Sequence, residues 1–137
     1  MPDVGGRGGA VSGGPRTRLS AIVLGAPDPR ALADFYRHLM GWRLKWDEPD
    51  WVMLEAPDGG PGLSFQTESE HVRPVWPAGP GDQQMMIHLD IEVDDLDAAS
   101  DHAVAGGAVV AEFQPQEGVR VLFDPVGHPF CLFLPGH

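Results

Sequence analysis

Polar and apolar residues alternate most regularly between residues 88 and 93. The polar positions, spaced two apart, are His88, Asp90 and Glu92. This two-residue period is typical of a strand that is buried on one face. Asp95 follows as an N-cap and Gly106 as a stop, so the pattern predicts a helix over Leu96–Ala105 directly after the strand. We expect the polar face of this strand to contribute to any site that the protein has.

A similar strand–helix unit precedes it. The run Leu19–Gly25 reads as a strand, and Asp28 caps a predicted helix over Pro29–Met40 that Gly41 ends. Five apolar residues recur there at helical spacing: Leu32, Phe35, Tyr36, Leu39 and Met40. This stripe predicts an amphipathic helix that packs on a core.

The two units belong to a longer internal repeat. Asp28 and Asp95 stand at an offset of 67 in the sequence, and four further pairs stand at an offset of 68: Pro57 and Pro125, Gly59 and Gly127, Pro61 and Pro129, Phe65 and Phe133. The offsets at the helix cap and at the later pairs agree within one residue. This agreement indicates a duplicated module of strand, helix and three strands. The remaining predicted strands are Trp42–Trp46, Trp51–Glu55, Leu63–Gln66, Ala108–Phe113, Val119–Phe123 and Phe130–Leu134.

This repeat sets the expected domain organisation. Residues 1–18 read as a flexible Gly-rich tail, and residues 19–134 as a single domain of two modules, 19–66 and 87–134. The segment 67–86 is rich in Pro and Gly and predicts a linker. Trp76 lies in this linker and is expected to pack on the body of the protein or to line a ligand.

Composition excludes several classes of function. The net charge of −11 argues against nucleic acid and against an anionic membrane surface as partners. A single cysteine allows no internal disulfide, which favours a reducing cytoplasm. No apolar run approaches the roughly 20 residues that span a bilayer.

The repeat and three motifs resemble the vicinal oxygen chelate superfamily, which includes glyoxalase I, bleomycin-resistance proteins and extradiol dioxygenases. The motifs are FYRHLMGW (35–42), HLDIEVDDLDAA (88–99) and VLFDPVGHPFCL (121–132). The closest likeness is to small bacterial glyoxalase-like proteins. The resemblance implies an α+β fold in which tandem βαβββ modules form a curved, partly closed mixed sheet, with a concave cavity and outer helices. It also implies a homodimer.

Metal-dependent members of this superfamily place four ligands on the first and last strands of the modules. By resemblance these positions fall on Ala21, Leu63 (one register step from Ser64), His88 and Cys131. Only His88 is a usual ligand type, so no cofactor is expected and the usual metal site is expected to be absent. If a divalent metal binds, the donors would be His88, Asp90 and Cys131; alternatively, Cys131 is a small buried hydrophobe.

Strand parity then predicts the cavity wall. If Leu63 and Cys131 on the fourth strands of the modules point into the cavity, Phe65 and Phe133, two residues further on, point into it as well. They would then lie beside the polar side chains of His88, Asp90 and Glu92. Trp46 and Trp51 would add aromatic surface at its mouth. The competing interpretation is that the two phenylalanines fill the core. His88 itself is a general base, a hydrogen-bond donor that orients a ligand, or a structural histidine.

These features predict a protein that binds a small organic ligand between the modules. The alternative is an enzyme, a lyase or dioxygenase of the glyoxalase type, with rearranged metal ligands or a metal-free mechanism around His88. A third class acts through assembly alone. Neither composition nor motifs identify the ligand.

Overall fold

The computed structural model describes residues 14–136, which form eight strands and two helices. The first module contains β1 (Ala21–Ala26), α1 (Pro29–Met40), β2 (Arg43–Glu48), β3 (Trp51–Glu55) and β4 (Gly62–Thr67). The second contains β5 (Leu89–Glu92), α2 (Leu96–Ala105), β6 (Val109–Val110), β7 (Val119–Phe123) and β8 (Pro129–Phe133). Of the predicted tail, residues 1–13 lie outside this part of the chain. No helix in the described range is long and apolar enough to cross a membrane.

Each module forms its own four-stranded mixed sheet. The strand order is β1-β4-β3-β2 in the first sheet and β5-β8-β7-β6 in the second. In both, the first strand of the module pairs in parallel with the last, and the other neighbours are antiparallel. The predicted α+β class and the tandem βαβββ modules are confirmed. The strands divide into two separate open sheets, one per module.

Both helices begin and end at the predicted residues. The Asp28 carboxylate accepts a hydrogen bond from the Ala31 N–H at 3.3 Å, and the Asp95 carboxylate accepts one from Ala98 at 3.0 Å. These contacts satisfy N–H groups that have no partner within the first helical turn. Gly41 ends α1 with a φ of 70°, a left-handed conformation that glycine adopts without steric cost.

One hydrophobic core joins the two modules. The Tyr36 ring on α1 stacks on Phe65 with a centroid distance of 5.6 Å and meets Phe35 edge-on at 4.9 Å. Phe35 reaches the second module, where its ring lies 5.9 Å from Phe130. Phe65 is fully buried in this cluster. The prediction that Phe65 lines the cavity is therefore wrong, because its side of β4 faces α1.

A buried polar contact also links the modules. The Tyr36 hydroxyl donates to the Asp124 carboxylate at 2.8 Å, and Asp124 accepts two further bonds from the N–H groups of Val126 and His128. Burial raises the pKa of Asp124, outweighing the opposing effects of nearby His128 and these hydrogen bonds. Burial and the adjacent carboxylate raise the pKa of Tyr36 well above its ordinary value. The contact ties α1 to the turn between β7 and β8.

Strand pairing defines how the modules correspond. Ile22 pairs with Leu63 in the first sheet, and Leu89 pairs with Phe130 in the second. Both members of the second pair stand at an offset of 67 from their counterparts, the same offset as between the two helix caps. Within these strands, equivalent residues of the two modules are therefore related by this one offset.

This register corrects one predicted superposition. Phe65 corresponds to Leu132 and not to Phe133. The reason lies in the turn before the last strand, where both Gly59 and Gly127 have positive φ. The first module has one residue more between that glycine and the strand, so the offset of 68 in the turn does not extend into the strands.

The strand β6 is shorter than predicted. Pairing was expected over Ala108–Phe113 but covers only Val109–Val110. Beyond Ala111 the side-chain amide of Gln114 bonds to both the N–H and the carbonyl of Val121, each at 2.9 Å. A side chain thus takes over the hydrogen bonds that a longer strand would supply. The other strands lie within two residues of their predicted bounds.

The segment between the modules has neither helix nor strand from Glu68 to His88. Trp76 packs there against Phe113 of the second module, with ring centroids 5.6 Å apart. This is the packing on the body of the protein that was expected for Trp76.

Candidate functional site

The strand β5 and the residue before it turn three polar side chains away from α2. Leu89 and Ile91 pack against the core, whereas His88, Asp90 and Glu92 are exposed on the opposite face. This is the arrangement that the alternation predicts, because successive strand residues point to opposite faces of the sheet. The polar face of β5 is thereby available to a ligand.

The neighbouring strand β8 adds a thiol and an aromatic ring to this face. Parallel pairing sets Cys131 opposite Asp90 and Phe133 opposite Glu92. The side chains surround a cavity of about 220 Å³, lined by His88, Asp90, Gln116, Val119, Cys131 and Phe133. We call it the His88 cavity. All of its lining residues come from the second module. The sequence predicted a cavity between the two modules, and the His88 cavity does not lie there.

Three side chains, His88, Asp90 and Cys131, come together at the polar end of the His88 cavity. His88 Nε2 lies 3.1 Å from Asp90 Oδ1. Burial raises the pKa of the Cys131 thiol from 9.0 to about 11, and the negative charge of Asp90 and its hydrogen bond with the thiol add to the effect. The thiol is therefore protonated at neutral pH. The far side of the cavity is apolar, with Val119 and Phe133.

Two lining residues were not predicted from the sequence. Val119 begins the predicted strand β7, and its pairing with Phe133 places both side chains on the same face. Parity across β7 could have found it. Gln116 lies in the loop before β7, and no periodic signal indicates its position.

Several predicted site residues lie elsewhere. Trp46 and Trp51 are on β2 and β3 of the first sheet, and Trp46 is 52% exposed. Trp46 pairs with Met53, so it lies on the face away from α1. Glu92 shares the polar face of β5 but does not line the His88 cavity. The structure thus brings together four of the predicted residues: His88, Asp90, Cys131 and Phe133.

The usual four-ligand metal set does not fit this chain. The register places Ser64, and not Leu63, at the position that corresponds to Cys131. Leu63 is buried in the core, and Ala21 offers only a methyl group. The Ser64 hydroxyl is buried and has no hydrogen-bond partner among the described residues. A neutral alcohol and a methyl group replace two charged or strongly coordinating donors, so the first module contributes no usual ligand.

A smaller donor set exists within the second module. One ligand atom each from His88, Asp90 and Cys131 lies within 4.8 Å of the other two. Imidazole, carboxylate and thiolate are the donor types that Zn²⁺ takes in proteins, and three protein donors leave one tetrahedral position open. This is the set that the sequence suggested for the case that a metal binds.

Solved structures with the same architecture share this fold. A glyoxalase/bleomycin resistance protein/dioxygenase family enzyme from Burkholderia phytofirmans PsJN superposes with a TM-score of 0.67 at 18% identity, covering 86% of this chain and 98% of that one. A glyoxalase-related enzyme from Fulvimarina pelagi gives 0.63 at 20% identity, covering 87% and 88%. The fosfomycin resistance protein FosX from Mesorhizobium loti gives 0.64 at 14% identity, covering 91% and 95%.

The paired βαβββ modules of this chain have the same fold as these structures. The glyoxalase-like domain family matches residues 21–133, which include every strand and helix described above. The chain belongs to that family. None of the curated proteins matches it.

Proposed function

We propose that this protein binds a small organic ligand in the His88 cavity, without the four-ligand metal site usual in its superfamily. The observation that carries the proposal is the composition of the cavity. A polar end with His88, Asp90 and Cys131 faces an apolar end with Val119 and Phe133. Small-molecule sites typically combine an apolar wall with a few convergent polar groups.

The geometry favours a ligand with an aromatic or aliphatic part and one polar group. Phe133 is half-buried, so its ring is held by the sheet while part of it stays open to a ligand. The His88 side chain is 38% exposed, and the Asp90 carboxylate lies 3.1 Å from its Nε2 atom. The polar group of the ligand would meet His88 or the Gln116 amide.

A thermal-shift screen of aromatic and antibiotic-like compounds tests this function. Truncating the wall by Phe133→Ala should weaken an apolar ligand by about 1–3 kcal/mol from lost burial. His88→Ala should weaken only those ligands that carry a polar group, because the imidazole supplies a hydrogen bond and little apolar surface.

Trp46→Ala is the matched control, since it removes an aromatic ring from the first sheet. Hits should keep their affinity in Trp46→Ala and lose it in Phe133→Ala. Hits that survive both Phe133→Ala and His88→Ala unchanged would place the ligand outside the His88 cavity and reject the proposal.

The second candidate function is a metal-dependent activity of the superfamily, a lyase or dioxygenase with rearranged ligands. The close approach of the His88, Asp90 and Cys131 donor atoms favours it. The raised pKa of the Cys131 thiol opposes it, because the thiolate must form before it can coordinate. A bound metal would hold the ligand's oxygen atoms as a Lewis acid, while Phe133 and Val119 exclude water from one side.

Titration with Co²⁺ distinguishes the two functions without an activity assay. Binding through the thiolate would produce a sulfur-to-cobalt absorption band and release a proton, and Cys131→Ser would abolish the band. The ligand-binding proposal expects no such band. Equimolar metal in untagged protein, lost in His88→Ala, would support the second function instead.

We also propose that the protein assembles as a homodimer. Every residue of the edge strand β2 is exposed, including Leu44 and Trp46. An exposed strand edge with apolar side chains is usually covered in native proteins. Sedimentation velocity should show a dimer at micromolar concentration, and a pure monomer would refute the assembly.

A further inference from the structure

A second cavity of about 300 Å³ lies beside the segment that joins the modules. Its walls come from the end of β1, from the segment between β4 and β5, and from His128 in the second module. It shares no lining residue with the His88 cavity. We call it the linker cavity, and its lining identifies a class of ligand independently of the function proposed for the His88 cavity.

Specific hydrogen bonds dock the linker on the second module. His71 Nε2 lies 2.7 Å from the Val126 carbonyl, and Arg73 donates to the Pro125 carbonyl at 2.8 Å. The Arg73 side chain lies directly over Gly127, where a β-carbon would collide with it. The absent side chain of Gly127 therefore makes room for the contact. These bonds hold one wall of the linker cavity against the turn between β7 and β8.

Another part of the wall is built around Glu68. The Glu68 N–H donates to the Ala26 carbonyl at 2.8 Å, and its carbonyl accepts from the His71 N–H at 3.2 Å. A β-carbon on Gly25 would come within 3.0 Å of the Glu68 side chain. Glycine at this position lets the Glu68 side chain lie close against β1. The cavity walls are thus preformed by hydrogen bonds and close backbone approach.

The charge of the linker cavity is negative. Glu68 and Glu70 line it, and no lysine or arginine is among its described lining residues. Arg73, the arginine of the linker, uses its guanidinium on the Pro125 carbonyl and does not line the cavity. The whole chain carries a net charge of −11, which adds to the attraction for cations.

Two imidazoles add hydrogen-bond acceptors to the lining. The Nε2 atoms of His71 and His128 face the carbonyls of Val126 and Gly25, at 2.7 and 2.8 Å. A carbonyl can only accept, so each Nε2 carries the proton and donates. In a neutral ring Nδ1 is then an acceptor. The centroids of the two rings lie 5.1 Å apart, so both imidazoles belong to the same part of the lining.

The rest of the lining combines the two amides of Gln83 and Gln84 with a larger set of apolar side chains. Val23, Val72, Met85, Met86 and Ile87 contribute side chains to the cavity. Methionine side chains are flexible and polarisable, so they adapt to apolar groups of different shapes. Exposed apolar surface combined with carboxylates and imidazole acceptors fits a ligand that has one cationic donor group and one apolar group.

We propose that the linker cavity binds a small organic cation, an ammonium that carries an apolar substituent. The ammonium would lie near Glu68 and Glu70 and donate to the imidazole acceptors, and the substituent would contact Met85 and its neighbours. This is a binding site distinct from the His88 cavity.

Nuclear magnetic resonance of protein labelled with ¹³C at the methionine methyl groups tests the site. The chain has five methionines; Met85 and Met86 line the linker cavity, whereas Met40 and Met53 lie outside it. Benzylammonium is the probe, with benzyl alcohol and benzoate as neutral and anionic counterparts. Benzylammonium should shift the Met85 and Met86 methyl signals saturably and leave Met40 and Met53 unchanged, and the two counterparts should bind more weakly.

The variant Glu68→Gln/Glu70→Gln should weaken benzylammonium about tenfold, since each exposed carboxylate contributes modestly to attraction of a cation. The variant Glu55→Gln/Glu112→Gln is the control, because it changes the net charge equally at exposed sites outside both cavities. It should bind as the unmodified protein does. Raising the ionic strength of the unmodified protein should also weaken binding, which gives a test that needs no variant.

Three outcomes would overturn the proposal: equal shifts with benzyl alcohol, equal weakening in the control variant, or no saturable shift of Met85 and Met86 at millimolar probe. The Met85 and Met86 signals report on the linker cavity and not on the His88 cavity. If no compound binds in the His88 cavity, benzylammonium should still shift these signals, so the two proposals are tested separately.

Discussion

The reactivity of Cys131 tests the electrostatics of the His88 cavity directly. Cys131 is half-buried on β8, opposite Asp90 on β5. Burial is the main reason that the pKa of its thiol rises to about 11, and the Asp90 carboxylate raises it further. Only the thiolate attacks alkylating reagents, so the rate of alkylation reports how much thiolate is present. We expect Cys131 to be alkylated slowly at neutral pH.

The magnitude follows from the thiolate fraction. At pH 8 a thiol with a pKa of about 11 is about one part in a thousand thiolate, against about one part in ten for the ordinary value of 9.0. A thiolate of higher pKa is also more nucleophilic, which offsets part of this hundredfold difference. The net expectation is alkylation about tenfold slower than that of an unstructured cysteine peptide.

Asp90→Asn separates the contribution of the carboxylate from that of burial. A unit charge about 4 Å away in a water-like medium contributes about 1 kcal/mol, so the pKa of the Cys131 thiol should fall from about 11 to roughly 10.3. Alkylation at pH 8 should then be about two- to threefold faster. Glu92→Gln is the matched control, because it removes the same charge from the same face of β5 without lining the cavity.

Mass spectrometry of the iodoacetamide-treated protein across a pH series provides the assay, and the single cysteine makes the product unambiguous. The midpoint of the pH–rate profile gives the pKa directly. A midpoint near 9 in the unmodified protein, or equal acceleration by Glu92→Gln and Asp90→Asn, would refute the reasoning.

Three further predictions concern stability. Phe65→Ala should lower the free energy of unfolding by about 3–5 kcal/mol, and Phe133→Ala should lower it by less, because only Phe65 is fully buried. Equal losses of the two variants in urea denaturation would contradict the assignment of Phe65 to the core. Tyr36→Phe should cost about 1–3 kcal/mol, because a buried carboxylate loses one donor. Since the folded-state pKa of Tyr36 lies above its unfolded value, stability should fall as the pH rises above about 10, and Tyr36→Phe should reduce this fall. His38→Ala should lower the free energy of unfolding by about 1 kcal/mol, because the His38 ring stacks on His102 of α2 with a centroid distance of 4.0 Å and bonds to the His102 carbonyl. A thermal melt unchanged from that of the unmodified protein would show that this pair does not hold the two helices together.

Local patterns were sufficient for most of the secondary structure. Both helices have the predicted bounds because caps and stops are encoded within a few residues, as Asp28 and Gly41 show for α1. The polar face of β5 also followed from sequence, since alternation within a single strand needs no knowledge of its neighbours. The same holds for the repeat, whose helix caps stand at the same offset as the paired strands.

Relations between strands were decided only by the tertiary structure. A one-residue difference in the turn after Gly59 reverses which side chains of β4 face the core, so the repeat alone misplaced Phe65. Gln114 ended β6 early through a side-chain contact that no propensity describes. The linker cavity depends on bonds from His71 and His128 to backbone carbonyls that are distant in the sequence. Such long-range contacts form only when the modules pack together, whereas alternation, capping and composition act within one segment of the chain.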